Sequence, residues 1–378
     1  MVIYPLFFLL LAALAYQVLA LGCLWRFCSQ PRGPRLSPPL PGITVFKPLK
    51  GLEGTTRECL ESFLSQDYHP YQVIFGVKHP HDPLLPLLQE LQLSFPQAQA
   101  EIITCPADLG LNPKVSKLRQ MEPHALYDLL VIADADVKVG PDFLTQIAAA
   151  FQEPEVGLVS CPYRAGPAAT LGAGLEALTI SGDFIPSVAT AFYVEGIRFA
   201  LGAAMGLSRQ ALAAIGGFAA LADFLADDYQ LGWRVAQAGF RVRLLPYVVE
   251  TQTPRLGFKE YLEHQLRWAR TYRVCRPLGY FAYGITHALI YGLALFLAAG
   301  GTTWAWGLLG ATLAVRLVLA AFSERRGLQG SLPWPFFLLL PLKDLLSGLI
   351  WLLSFLGDRV TWGGRLYRVT PEGKLVPE

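Results

Sequence analysis

Leu129-Leu130-Val131-Ile132-Ala133-Asp134-Ala135-Asp136 decides the fold: a short apolar run that ends in two acids one residue apart. The run reads as a strand, and Val137-Lys138-Val139 and Pro141-Asp142 lead from it into the helical pattern Pro141–Phe151. The same alternation recurs on both sides. Ile43–Phe46, Val73–Val77, Glu101–Thr104 and Val156–Ser160 read as strands, and Thr56–Ser65, Pro83–Ser94 and Lys114–Met121 as helices. This pattern predicts an open, mostly parallel α/β sheet, in which ligands sit beyond the carboxyl ends of the strands.

Four acids stand at such ends or in the loops that follow: Asp82 after Val73–Val77, Asp134 and Asp136 after Leu129–Ala133, and Asp228 within Ala226-Asp227-Asp228-Tyr229. Side chains two apart on extended backbone project to the same side. Asp134 and Asp136 thus form a candidate seat for a divalent metal, Mg²⁺ or Mn²⁺, with positions left for diphosphate oxygens. The bland alternative is turn and capping chemistry, for which Asp is common after strands. Asp227-Asp228 precedes the helical pattern Tyr229–Ala238, where one carboxylate suffices as a cap. The other is free to take a proton from an attacking hydroxyl. His79 and His81 make a His-x-His, but no third nitrogen or sulfur ligand lies near them in sequence.

Composition sets the surroundings. The chain has 378 residues, 53% of them hydrophobic, with a mean hydropathy of +0.38, which suits one catalytic domain plus membrane segments. A net charge of +2 gives no footprint for nucleic acid. Six cysteines without a Cys-x-x-Cys pair suit a reducing compartment. Val2–Trp25 carries no charge and is followed by Arg26, Arg32 and Arg35, the order expected of an uncleaved anchor with cytoplasmic sequence after it. Tyr280–Ala299 and Trp304–Phe322 read as a helical hairpin. Pro335–Leu356 holds Pro341, Lys343 and Asp344 near its middle, which predicts a broken, re-entrant or interfacial piece. The expected division is an anchor at 1–27, a Pro/Gly-rich linker at 28–42, a cytoplasmic catalytic domain at 43–254, an interfacial helix at 255–278, a membrane or re-entrant region at 279–357 and a basic cytoplasmic tail at 358–378. Within the domain, Leu171–Gly206, with Glu176 and Asp183, reads either as the path of a lipid headgroup or as core. Glu263-His264-Gln265-Leu266-Arg267-Trp268-Ala269-Arg270 reads as an amphipathic helix. It either anchors the domain at the membrane surface or sets Arg267 on a diphosphate and Trp268 under an acceptor.

Taken in order, Phe46-Lys47-Pro48-Leu49-Lys50-Gly51, His81-Asp82-Pro83, Asn112-Pro113-Lys114-Val115, Ile132-Ala133-Asp134, Asp227-Asp228-Tyr229, Arg267-Trp268 and Val360-Thr361-Trp362-Gly363-Gly364-Arg365 resemble the ceramide glucosyltransferase family, including its bacterial hopanoid-associated branch. The resemblance runs from about Ile43 to Val369. It implies an inverting enzyme with a GT-A nucleotide-diphospho-sugar transferase domain. Asp82 would help seat the uridine end and Lys47 would belong to the nucleotide-sugar site. Asp134 would hold the metal and diphosphate, Asp228 would be the base, and Arg267 with Trp268 would complete the site. That family's (Gln/Arg)-x-x-Arg-Trp motif has His264 at its first position here, with Gln265 one residue along, and either residue can supply the contact. The function expected is transfer of glucose or N-acetylglucosamine from UDP-glucose or UDP-N-acetylglucosamine to a hydroxyl of a ceramide, hopanoid or glyceride in a bacterial inner membrane. The alternatives are a processive polysaccharide synthase and a membrane sensor that binds nucleotide without catalysis.

Overall fold

A computed structural model describes residues 2–31, 36, 38–362 and 364–378; Arg32 and Arg35 of the anchor's flank, and Gly363 of the tail motif, lie outside the described residues. The strands are β1 (Ile43–Pro48), β2 (Tyr71–Val77), β3 (Ala100–Thr104), β4 (Leu129–Ala133), β5 (Val137–Lys138), β6 (Val156–Ser160), β7 (Tyr163–Ala165), β8 (Ala204–Ser208), β9 (Arg241–Leu244), β10 (Val249–Thr251), β11 (Arg359–Trp362), β12 (Arg365–Val369) and β13 (Leu375–Pro377). The helices are α1 (Ile3–Cys28), α2 (Thr56–Leu64), α3 (Leu85–Ser94), α4 (Pro113–Met121), α5 (Phe143–Ala150), α6 (Leu171–Thr179), α7 (Ile185–Val194), α8 (Arg209–Ala214), α9 (Asp227–Gln237), α10 (Phe258–Cys275), α11 (Pro277–Tyr283), α12 (Ala288–Ala298), α13 (Thr303–Phe322) and α14 (Leu340–Ser354).

The main sheet has the order β3-β2-β1-β4-β8-β6-β9, and β8 alone runs antiparallel to its neighbours. Strands β1, β2 and β4 are buried along their whole length, as befits a sheet covered on both faces. Because β2, β1 and β4 are parallel, Asp82 and Asp134 emerge at one edge, two strands apart. The expected open sheet is thus present, with a small second sheet, β5-β10-β7, beyond Asp134 and Asp136.

Four helices among the described residues are long and apolar enough to cross a membrane: Ile3–Cys28, Leu171–Val194, Thr303–Gly327 and Trp334–Ser354. One of them lies inside the segment that sequence alone assigns to the catalytic domain. It comprises α6, a π-helical turn at Ile180–Phe184, and α7, and α7 packs on α1. The expected break in Pro335–Leu356 falls elsewhere. Trp334–Ser354 is continuous, whereas α11 and α12 bend by 51° at their junction next to His287. The charges in α14 are closed off by neighbours. Lys343, fully buried, lies 2.6 Å from Asp183 and 2.7 Å from Asp344, and Arg316 lies 2.7 Å from Asp183 and 2.6 Å from Asp344. Two cations and two carboxylates neutralise one another, so the helix has no need to break. The basic tail is folded as well: β11-β12-β13 form a sheet whose Leu375 amide donates to the Asp223 carbonyl at 2.8 Å, beside the segment that leads to Asp228.

Candidate active site

The turn after β4 is held from below by Lys47. Its fully buried ammonium donates to the carbonyl of Asp134 and, at 3.4 Å, to that of Val137, and lies 4.2 Å above the Phe63 ring. Burial lowers its pKa to about 8. Lys47 therefore shapes the Asp134–Val137 turn through the main chain. Lys117 of α4 does the same for the end of β1, donating to the Leu49 carbonyl.

Asn112 caps α4, its side chain accepting the Val115 amide at 3.0 Å ahead of a proline in the first turn. The Asn112 Nδ2 donates to the Phe224 carbonyl at 2.9 Å and to Asp227 Oδ1 at 3.2 Å, tying α4 to the start of α9. One residue into α4, Lys114 bridges the two acidic segments. Its Nζ lies 2.6 Å from Asp134 Oδ1, 3.6 Å from Asp227 Oδ2 and 3.4 Å from the Gly202 carbonyl. Burial opposes that charge, but Asp134 and Asp227 outweigh it and hold the Lys114 pKa above the usual lysine range.

Asp227 and Asp228 form the first turn of α9, and Asp228 Oδ1 accepts the Tyr229 amide at 2.8 Å. Burial first, then Asp227, push the Asp228 carboxyl up to about 6, against the pull of Lys114. Asp136 is pushed up to about 6 by burial and then by Asp134, with Lys47 opposing. A carboxyl pair of this kind gains from a cation between its members, so the residues fit a divalent metal. Among the described residues no group of three or more His, Cys, Asp or Glu side chains converges. The protein would supply two carboxylates and leave the remaining positions to other oxygens.

The opposite wall comes from α10 and the π-helical turn. Trp268 packs 5.8 Å from Phe184, which in turn lies 5.2 Å from Tyr163 and 6.4 Å from Tyr272, ring centre to ring centre. The Tyr272 hydroxyl is raised by burial and then by the Asp228 and Glu176 charges, which places this wall in the field of the acids. Arg267 has no hydrogen-bonded guanidinium partner among the described residues and feels Tyr272, Glu176, Asp228 and Asp134. His264 and Gln265 share one partner: Glu176 of α6 meets His264 Nδ1 at 3.0 Å and accepts from Gln265 Nε2 at 2.7 Å. Both motif candidates are thus tethered to a single buried carboxylate. Asp82 Oδ1 accepts the Leu84 amide at 3.1 Å in the turn after β2. Lys114 and Glu176 received no role from sequence. The first sits in a motif that the resemblance includes, whereas nothing in the apolar run around Glu176 signals its partners.

The mostly parallel sheet carries Asp134 and Asp136 just beyond β4, Lys114 ties Asp134 to Asp227 at the start of α9, and the fold is that of the GT-A glycosyltransferases. Residues 5–375 match the profile of glycosyl transferase family 21, and the chain belongs to that family. Ceramide glucosyltransferase 3 of Caenorhabditis elegans is 21% identical over 359 residues, covering 89% of this chain and 75% of the relative. A ceramide glucosyltransferase of Candida albicans is 33% identical over 115 residues, 27% of this chain and 21% of its own. Among solved structures, the mannosyltransferase PcManGT of Pyrobaculum calidifontis, in complex with GDP-Man and Mn²⁺, shares the fold. It has a TM-score of 0.53 and 19% identity, over 92% of this chain and 99% of that one.

Proposed function

We propose that this glycosyltransferase moves glucose or N-acetylglucosamine, with inversion, from a UDP-sugar to a hydroxyl of a ceramide, hopanoid or glyceride. The single observation that carries the reading is the cleft itself. Acids suited to a metal and to proton transfer lie around Lys114 on one side, an aromatic and arginine wall lies on the other, and that wall is built on the π-helical turn of a helix that packs against the anchor. A lipid held in the bilayer thus presents its headgroup beside the base.

Asp134 and Asp136 would hold Mg²⁺ or Mn²⁺, which supplies charge neutralisation to a departing diphosphate. Asp82 serves the uridine end of the cleft. Arg267, whose guanidinium has no hydrogen-bonded partner among the described residues, pairs with the diphosphate, and Trp268 floors the acceptor site. Asp228 takes the proton of the acceptor hydroxyl while that oxygen attacks the anomeric carbon and the carbon–diphosphate bond breaks. Its raised pKa suits a base that works near neutral pH. The cations Arg26 and Arg368 favour a cytoplasmic domain, in keeping with a bacterial inner membrane.

UDP release by the solubilised chain, followed with each UDP-sugar in the presence and absence of added ceramide, hopanoid or diacylglycerol, tests the reading. Release that requires both a divalent metal and lipid supports it. Release unaffected by lipid contradicts a lipid acceptor.

A further inference from the structure

Pro371-Glu372-Gly373 turns the chain between β12 and β13, with Gly373 in the left-handed region at φ +88°. Beyond the turn, Lys374 forms an antiparallel bridge with Phe224. The Leu375 amide donates to the Asp223 carbonyl at 2.8 Å and the Leu225 amide to the Gly373 carbonyl at 3.3 Å, so residues 223–225 add one further strand segment to the edge of the tail sheet. The start of α4 holds the same segment from another side. Leu111 donates its amide to Asp223 Oδ1 at 3.0 Å, and Asn112 donates its amide to the Ala222 carbonyl at 2.8 Å and its side chain to the Phe224 carbonyl at 2.9 Å. Asp228 follows three residues after Leu225. The tail is also tied to the opposite wall: Arg270 of α10 donates to the Arg359 carbonyl, and Arg273 to that of Gly357 at 2.8 Å. A Cβ on Gly373 would lie 3.7 Å from Val274 of α10 and 3.8 Å from Phe224, so the turn touches both sides.

We infer that the C-terminal sheet is a working part of the active site and that Asp223 is a positioning residue for the transfer step, tying the edge of β13 to the start of α4 and so fixing where the first turn of α9 presents Asp228. This rests on Asp228 being the base, as proposed above. Asp223 is exposed, and its carboxylate and its carbonyl each accept a main-chain amide from a different segment. Burial is left to its neighbours: Leu225 joins Val360, Tyr367 and Leu375 in the apolar cluster of the tail. A slip of one residue along the strand edge would turn Leu225 out of that cluster, so the segment has one register. A base works only within hydrogen-bond reach of the hydroxyl, and a misplacement of about 1 Å can cost about 10²-fold in rate. Asp82, Asp134 and Arg267, which the donor site uses, lie on other segments. Loosening the tie at Asp223 therefore acts on turnover before it acts on donor affinity.

The test compares kcat, read as UDP released in the presence of ceramide, hopanoid or diacylglycerol, with the donor dissociation constant from calorimetry. Both are measured on the full chain in detergent with Mn²⁺ and either UDP-glucose or UDP-N-acetylglucosamine. Asp223→Ala should lower kcat about 10- to 100-fold while donor affinity and melting temperature stay close to those of the unaltered protein. Asp223→Asn keeps Oδ1 as an acceptor and should restore most of the turnover. Leu375→Pro lacks the amide that donates to Asp223 and should lose more turnover than Leu375→Ala, which keeps it; both lose the leucine side chain. Unchanged turnover in Asp223→Ala, an equal loss in Asp223→Asn, or equal turnover in the two folded Leu375 variants overturns the inference and leaves Asp228 as the base. Where Leu375→Pro does not fold, the two Asp223 variants decide. Unchanged turnover in Asp228→Asn contradicts the base itself, and the inference falls with it.

Discussion

In the proposed mechanism Asp228 is the base, and its surroundings set two expectations. Asp228→Asn should lower kcat by about 10² to 10⁴, the usual worth of a general base, while binding of the sugar nucleotide persists; loss of binding with unchanged turnover of whatever binds would contradict the assignment. The base must be ionised to work, and its pKa is raised to about 6, so kcat should be present above that pH and fall as pH drops through it. A pH–rate profile with no acid limb would refute this. The neighbouring Gly202 is the third expectation at this scale. A Cβ there would lie 2.8 Å from Asp228 Oδ2, so Gly202→Ala should depress kcat more than it depresses thermal stability. The placement of Asp134 and Asp136 was legible because they directly follow the apolar run of β4, whereas Asp228 lies in the first turn of α9. Lys114 was not, since a lysine one residue into a helix looks like any solvated charge until the fold brings Asp134 to within 2.6 Å.

Helix α9 owes its position to close backbone contact. A Cβ on Gly232 would lie 2.5 Å from the main chain of Phe199 and Ala200, so Gly232→Ala should lift the helix from that segment and cost about 1–3 kcal/mol. Denaturant titration of the variant, compared with the parent, measures it. Five strands were readable from short apolar runs, with β4 and β6 matching to the residue. Strands β7 and β10 are three residues each and pair only with each other and with β5, too short for any sequence period to declare them. The helix through Leu171–Val194 was hidden for the opposite reason. Its small residues and its π-helical turn blur the helical period, and its polar residues face partners far along the chain: Glu176 faces α10, and Asp183 faces α13 and α14.

At the scale of the whole molecule, the catalytic sheet and the apolar helices meet at that same helix, with Phe184 against Trp268 on one side and Asp183 against Arg316 and Lys343 on the other. The buried quartet explains why Lys343 and Asp344 do not break α14: sequence shows the charges but not the partners that neutralise them. Arg316→Met should leave two buried carboxylates facing one lysine and cost about 3–5 kcal/mol, seen as a lowered melting temperature of the detergent-solubilised protein. An unchanged melting temperature would show that the quartet is dispensable. The central claim, a lipid-directed sugar transferase with Asp228 as its base, is tested most directly by incubating membranes that contain the chain with radiolabelled UDP-glucose or UDP-N-acetylglucosamine and counting the lipid extract. Label should appear in a lipid from one donor and be abolished by EDTA and by Asp228→Asn. Absence of lipid label with both donors, from folded protein supplied with metal and acceptor lipid, would contradict it.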